Sequence, residues 1–353
     1  MFRQSSLIAL LLGICGSPLA LADKSSATPH ASKPQVQAAV DRGTKYLQAE
    51  SAAWLKARVC ASCHHASMPL WSLNEVDRMG YAIDKKFVSE TTEATLGSMD
   101  KMIARKLVPG PKDPPDTRPI ARGLNMGLVF MAVAGQSSPA LSDGQKQSLK
   151  WITDQILKKQ MKDGSWEFFL SRPPINETQL TDTIWILMAL QGDARVNSSE
   201  PERAALRKGL AWVADAKLPD TYESKVLKLL LAIRAGKARS DLQPQIDELL
   251  AQQLPDGGWR QLPEMKSDAF ATGQTLYVLS LAGYTADRPQ IKRAIDFLVA
   301  TQKPDGSWPM TSRSSPDGKT GGSAKLLTPI TCAASSWATL GLARLVPKEP
   351  RTK

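Results

Sequence analysis

The chain has 353 residues, 42% of them hydrophobic and 22% charged, so it can bury a large core without disulfide staples, as one large domain or two ordinary ones. Its formal net charge of +11 would suit nucleic acid in a cytosolic protein, but the N-terminus reads as an export signal and sets that partner class aside. An anionic surface, acidic partner or anionic ligand takes its place, beside the plainer reading of a solvated basic surface.

Residues 1–22 read as a signal peptide: Arg3 gives a positive start, Leu7 to Ile14 an apolar core, and Ala20-Leu21-Ala22 a small-residue cleavage site. The apolar run is too short to span a bilayer, and Ile14 before Cys15 does not fit a lipoprotein signal. A periplasmic or otherwise exported protein without stable membrane insertion is expected. Residues 23–35 read as a polar linker, 36–347 as the folded body and 348–353 as a tail. Cleavage removes Cys15 and leaves Cys60, Cys63 and Cys332, an odd number that describes no disulfide framework.

The first helical pair is "AAVDRGTKYLQAESAAWL" with "CASCHHASMPLWSLNEVDRMG". Within it, Cys60-Ala61-Ser62-Cys63-His64 has the form of a haem c attachment site. Two thiols almost one helical turn apart can reach both vinyl groups, and the imidazole of His64 turns to the iron from the same face. Cys60, Cys63 and His64 are therefore the expected cofactor-binding residues for one covalent haem c, with His64 as metal ligand. A redox dithiol, and a zinc or other metal site using His64 and His65, are the competing readings. Cys332, flanked by apolar residues, reads as a packed core thiol. The sequence does not fix the sixth iron ligand. His65 adjoins the proximal residue, Met68 lies on the same face, and His30 reaches back only if the linker orders. Met99, Met102, Met126 and Met131 can supply sulfur but also read as core filler. An open position favours ligand binding or peroxide chemistry.

A second pair joins Lys86–Lys106 to "ARGLNMGLVFMAVAG" across the proline-rich loop Pro109–Pro119. Three related turns follow: "KKQMKDGSW" ending at Trp166, "AQQLPDGGW" at Trp259 and "ATQKPDGSW" at Trp308. Trp259 and Trp308 are 49 residues apart and Trp166 and Trp259 93 apart, so a unit lacking its tryptophan is expected between them. Glu202 to Gly236 fills that place, with two helical patterns and no such turn. In each unit the first helix is amphipathic and the second, as in "TDTIWILMALQG" and "ATGQTLYVLSLAG", is apolar all round, which predicts an outer and an inner layer. Six units give twelve helices, enough to close a ring.

The Gln-x-x-Asp-Gly-x-Trp turns resemble those of the squalene cyclase and protein prenyltransferase superfamily, over most of residues 36–345. The resemblance implies an all-α fold, an α/α toroid of about six helical hairpins. With the Cys-x-x-Cys-His-His stretch, the chain is similar to exported bacterial squalene cyclase-like proteins that carry a haem-type motif. The family's Asp-x-Asp-Asp acid is not retained: at "QLTDT" only Asp182 remains, and Thr181 takes the place of the proton donor, so class II cyclisation is not expected. The prenyltransferase zinc site is missing its histidine in the later repeats.

Superposing "LMALQG" on "VLSLAG" sets Glu177 opposite Asp268, and "LWSL" on "IWIL" sets Cys63 level with both. Glu177, Asp182 and Asp268 are thus the weak catalytic candidates, as an acid–base pair or cation site, against the plainer reading of helix capping. The expectation drawn from all this is an exported haem c toroid with a redox, electron-transfer or ligand-binding role. Its partner would be a redox protein or an apolar small molecule, isoprenoid or quinone-like, in an aromatic-lined cavity. A toroid enzyme using the rim carboxylates, and a non-catalytic interaction module, are the alternatives.

Overall fold

The computed structural model describes residues 30–57, 63–97, 125–167, 173–194, 199–217, 221–313 and 330–348. Among them lie α1 (Lys33–Ala57), α2 (Met68–Arg78), α3 (Lys85–Leu96), α4 (Met126–Ser137), α5 (Asp143–Lys158), α6 (Gln179–Ala194), α7 (Glu200–Asp215), α8 (Tyr222–Arg234), α9 (Arg239–Ala251), α10 (Ala269–Leu281), α11 (Pro289–Thr301) and α12 (Thr331–Leu345). A π-helical turn, Cys63–Ser67, leads into α2. The proline-rich loop, Met99 and Met102 fall outside the described residues.

The two layers follow from how much of each helix is apolar. α11 buries one stripe, Ile291, Ala294, Ile295 and Leu298, at helical spacing, whereas α10 is buried at every residue from Ala269 to Leu279. Odd-numbered helices therefore form an outer ring and even-numbered ones an inner ring. Inner neighbours run parallel. Ser72 Oγ of α2 donates to Ser336 O of α12 at 3.1 Å, Gln191 Nε2 of α6 to Leu231 O of α8 at 3.3 Å, and Gln136 of α4 to Ala189 O of α6. α10 and α12 approach most intimately through Gly273 and Gly341: a methyl on Gly273 would lie 2.5 Å from Ala338 N.

The repeated turn is built from four residues with separate tasks. In the second copy, Asp256 Oδ1 accepts from Gly258 N (3.0 Å), closing the turn. Gln253 Nε2 donates back to Gly257 O (2.8 Å) and across to Gln290 O at the start of α11 (2.7 Å). Buried Trp259 donates its indole N–H to Leu249 O of the preceding outer helix (2.7 Å), and its backbone N–H to Thr272 Oγ1 of the following inner helix (2.9 Å). Gln160 and Trp166, and Gln302 and Trp308, repeat the pattern, with Thr183 and Ser335 as the inner-helix acceptors. The expected unit without a tryptophan is α7–α8, joined by a short link with Thr221 capping α8.

The ring closes between its ends. Gln302 Nε2 donates to Ala39 O of α1 (2.9 Å), Tyr81 Oη to Val346 O (2.5 Å), and Lys348 N to Met79 O (2.9 Å). α1 begins at Lys33.

Gly257 adopts φ +89°, and a methyl there would meet Arg293 O at 2.4 Å; Gly236 has φ +76° with nothing within 4 Å of the same added atom. Gly236→Ala is expected to cost about 1 kcal/mol from backbone strain alone, and Gly257→Ala about 2–5 kcal/mol from strain plus displacement of α11. Denaturant unfolding of both variants checks the difference; equal losses would mean the turn does not seat α11.

Candidate functional site

Six parallel inner helices bring six N-termini to one end of the ring, and their helix dipoles favour negative charge there. Large aromatic side chains project from the same helices and meet across the axis. Trp185 of α6 and Trp337 of α12, on opposite sides of the ring, have centroids 6.2 Å apart. Trp71 stands edge-on to Trp337 (4.9 Å), Tyr277 (5.6 Å) and Trp185 (6.2 Å), and Phe130 packs on Trp185 at 4.7 Å. At this level the inward-facing aromatic side chains touch one another across the axis, because rings of this size reach across six helices.

At the N-terminal ends of α6, α8 and α10 stands a buried polar network. Arg313 Nη2 pairs with Glu177 Oε2 at 2.7 Å, and its Nε donates to Gln261 Oε1 at 3.0 Å. Gln261 Nε2 in turn donates to Asp268 Oδ2 at 2.9 Å. The two rim carboxylates are thus joined through one guanidinium and one amide. They are not strict equivalents: Asp268 is the N-cap of α10, accepting from Ala271 N (2.9 Å), whereas Glu177 precedes α6 and spends its N–H on Thr181 Oγ1 (3.1 Å). Capping therefore accounts for part of Asp268. Thr181 itself also takes the Thr178 N–H (2.9 Å) and tacks the entry to α6, and Asp182 is buried beside the network.

Sequence reasoning missed Glu223, Gln261 and Arg313. Glu223, the second residue of α8, is buried; burial first, then the nearby Glu177 charge, hold its carboxyl well above the ordinary range. Gln274 Nε2 approaches its Oε1 at 3.4 Å, and its Oε2 has no hydrogen-bond partner among the described residues. Its signal was present, an acid in an apolar inner helix, but at a helix start it reads as capping. Arg313 follows the last tryptophan turn, where no periodicity points to it.

The Cys-His stretch occupies the same end of the ring on the arc of α1, α2 and α12. Cys60 lies outside the described residues; Cys63 opens the π turn, which carries buried His64. The His65 ring stacks on Trp54 (3.8 Å, 7° between planes) and faces Glu50 and Cys332. Cys332 is buried as expected, its thiol pushed up by burial and by Glu50. His30 does not reach back to the mouth: its Nδ1 is 2.5 Å from Asp296 Oδ2 on outer helix α11. Met68, Met126 and Met131 are packed in the core.

Burial raises the Asp268 carboxyl to about 6, against the hydrogen bonds from Ala271 and Gln261 that lower it. The folded chain then holds this proton between about pH 4 and 6 while the unfolded chain has lost it, so stability falls as pH rises through that window. Asp268→Asn is expected to flatten the wild-type decline by roughly 2–3 kcal/mol, read from urea unfolding at pH 4 and pH 6.5. An identical pH profile in the variant would show that Asp268 ionises as an exposed carboxyl does.

Residues 219–345 match the squalene-hopene cyclase C-terminal domain. No curated protein matches the chain. Among solved structures, it is similar to the type II terpene cyclase MstE from Scytonema, in complex with merosterolic acid A as product, at 14% identity and TM-score 0.54 over 89% of this chain and 98% of that one. It is similar too to a possible member of the GH105 family from Salmonella enterica serovar Paratyphi A, at 13% identity and TM-score 0.56 over 96% and 99% of the two chains. A glycosidase in complex with glucose superposes at 11% identity and TM-score 0.52 over 87% and 97%. By fold, then, the chain is an α/α toroid, and its stretch from 219 to 345 matches the squalene-hopene cyclase C-terminal domain.

Proposed function

We propose that the chain is an exported redox protein in which haem c, held through Cys60 and Cys63 with His64 on the iron, works at the toroid mouth beside the carboxylate–arginine network. The observation that carries this reading is positional. His64 stands at the entry to α2, an inner helix parallel to α6, α8 and α10, so motif and network share one end of the ring. The donor chemistry fits: His65 is turned to Glu50 and Cys332, and buried His64 is the imidazole that directly follows Cys63, the place of the motif's iron ligand. Bound there, the haem supplies one-electron transfer. Inner-helix N–H groups favour its propionates or an anionic ligand. The packed aromatic rings offer a ring-sized floor, and Glu223, whose carboxyl burial holds well above the ordinary range, is the group placed to donate a proton to a ligand oxygen. A quinone-like molecule with an isoprenoid chain suits that combination. A toroid of the same architecture, MstE from Scytonema, has been solved with geranylgeranyl dihydroxybenzoate.

One observation favours a second reading. Glu223, its carboxyl raised by burial and by the neighbouring Glu177, which is itself paired with Arg313, sets two unlike carboxyl groups side by side, the pairing that hydrolases and lyases use. Protein exported from a host with the haem c attachment machinery decides between them. Haem is expected to remain on the chain through denaturing electrophoresis, and Cys60→Ser and Cys63→Ser are each expected to weaken or abolish that staining. Haem that washes off in detergent, or none at all, leaves the acid–base reading.

A further inference from the structure

We propose that Glu50, His65 and Cys332 form a zinc(II) site at the seam where the ring closes. The three come from separate segments: Glu50 from α1, His65 from the π turn before α2, Cys332 from the start of α12. One ligand atom of each lies within 4.8 Å of the other two. Zinc bonds of roughly 2.0–2.3 Å set ligand–ligand edges of about 3.3–3.8 Å, so the groups need to draw in by about 1 Å, within reach of side-chain rotation. Neither ring nor thiol is loosely held. His65 is fixed by the Trp54 stack and its Nδ1 is buried, while Cys332 is buried and hydrogen-bonded with Tyr46. The Tyr46 hydroxyl is then an outer-shell partner for the sulfur.

The donor set selects the ion. Thiolate and imidazole are poor ligands for calcium or magnesium, which take oxygen, and one sulfur, one nitrogen and one carboxylate suit a borderline-soft divalent ion. Three protein ligands leave the fourth tetrahedral position to water or an incoming ligand, and Glu50, the half-buried member, stands on the solvent side. The site does not depend on the haem reading. The His64 and His65 rings lie side by side at 4.2 Å, but no atom of the proposed site belongs to Cys60, Cys63 or His64. Because the ligands tie the first hairpin to the last helix, zinc binding would stabilise the closed ring by mass action.

The experiment uses the full exported chain with whatever haem it carries, stripped with chelator and titrated with zinc chloride alone against a chromophoric competitor. Stoichiometric zinc is expected, with a rise in Tm. Glu50→Gln, His65→Gln and Cys332→Ser are each expected to weaken zinc by more than the roughly 10–100-fold that loss of an outer-shell partner costs, with haem staining unchanged. Cys60→Ser and Cys63→Ser are expected to keep the zinc. Cobalt(II) in its place should give a thiolate charge-transfer band that Cys332→Ser removes. If Cys332→Ser does not fold, Glu50→Gln decides, since that side chain is only half-buried. Absence of stoichiometric zinc, equal affinity in wild type and Glu50→Gln, or loss of zinc in Cys63→Ser but not in Cys332→Ser would overturn the proposal.

Discussion

Everything in this toroid hangs on the Asp-Gly turn that joins an outer helix to the next inner one. Each copy fastens three helices at once: the tryptophan indole to the outer helix behind, the tryptophan N–H to a hydroxyl on the inner helix ahead, and the glutamine amide to the outer helix of the next unit. The glycine makes the last contact close enough, since any side chain would strike the neighbouring helix. The final copy makes the same contacts to α1, through Ala39 and Arg42, that earlier copies make to their successors. The interaction that propagates the repeat therefore also closes it.

Parallel inner helices set two effects against each other at the mouth. Helix N-termini favour carboxylates, while burial disfavours their charge. Which effect wins depends on specific donors. Asp268, with the Ala271 N–H and the Gln261 amide, is raised only to about 6; Glu223, with one long bond from Gln274 and Glu177 nearby, is held well above the ordinary carboxyl range. Glu177 is the member that received a guanidinium. A set of buried carboxyl groups thus splits into one raised strongly, one raised modestly and one paired with a guanidinium.

Much of the fold was legible because the features that specify it are local. Gln, Asp, Gly and Trp stand within seven residues of one another, and the contrast between a one-striped and an all-apolar helix survives in composition. Spacing alone also found the hairpin without its turn. The site was legible only in part. Glu177 and Asp268 could be aligned on the repeat, but the Arg313 and Gln261 that join them come from irregular segments whose meeting depends on ring closure. That Trp71, Trp185 and Trp337 meet across the axis could not be read either, because a sequence does not show how wide the ring is. Glu223 was passed over in the unit whose landmark turn is absent.

Ring closure also orders events in time. The walls around residues 63–67 come from α1, α2, α4 and α12, and the last of these is separated from the first by almost the whole chain. Contacts such as Ser72 to Ser336 and Tyr81 to Val346 span more than 260 residues, so they carry a large loop-closure cost and form late. Until the C-terminal helix arrives, the Cys-His stretch has an open side. A chain cut short before α12 would therefore keep its earlier hairpins yet leave the turn at residues 63–67 without one of its walls.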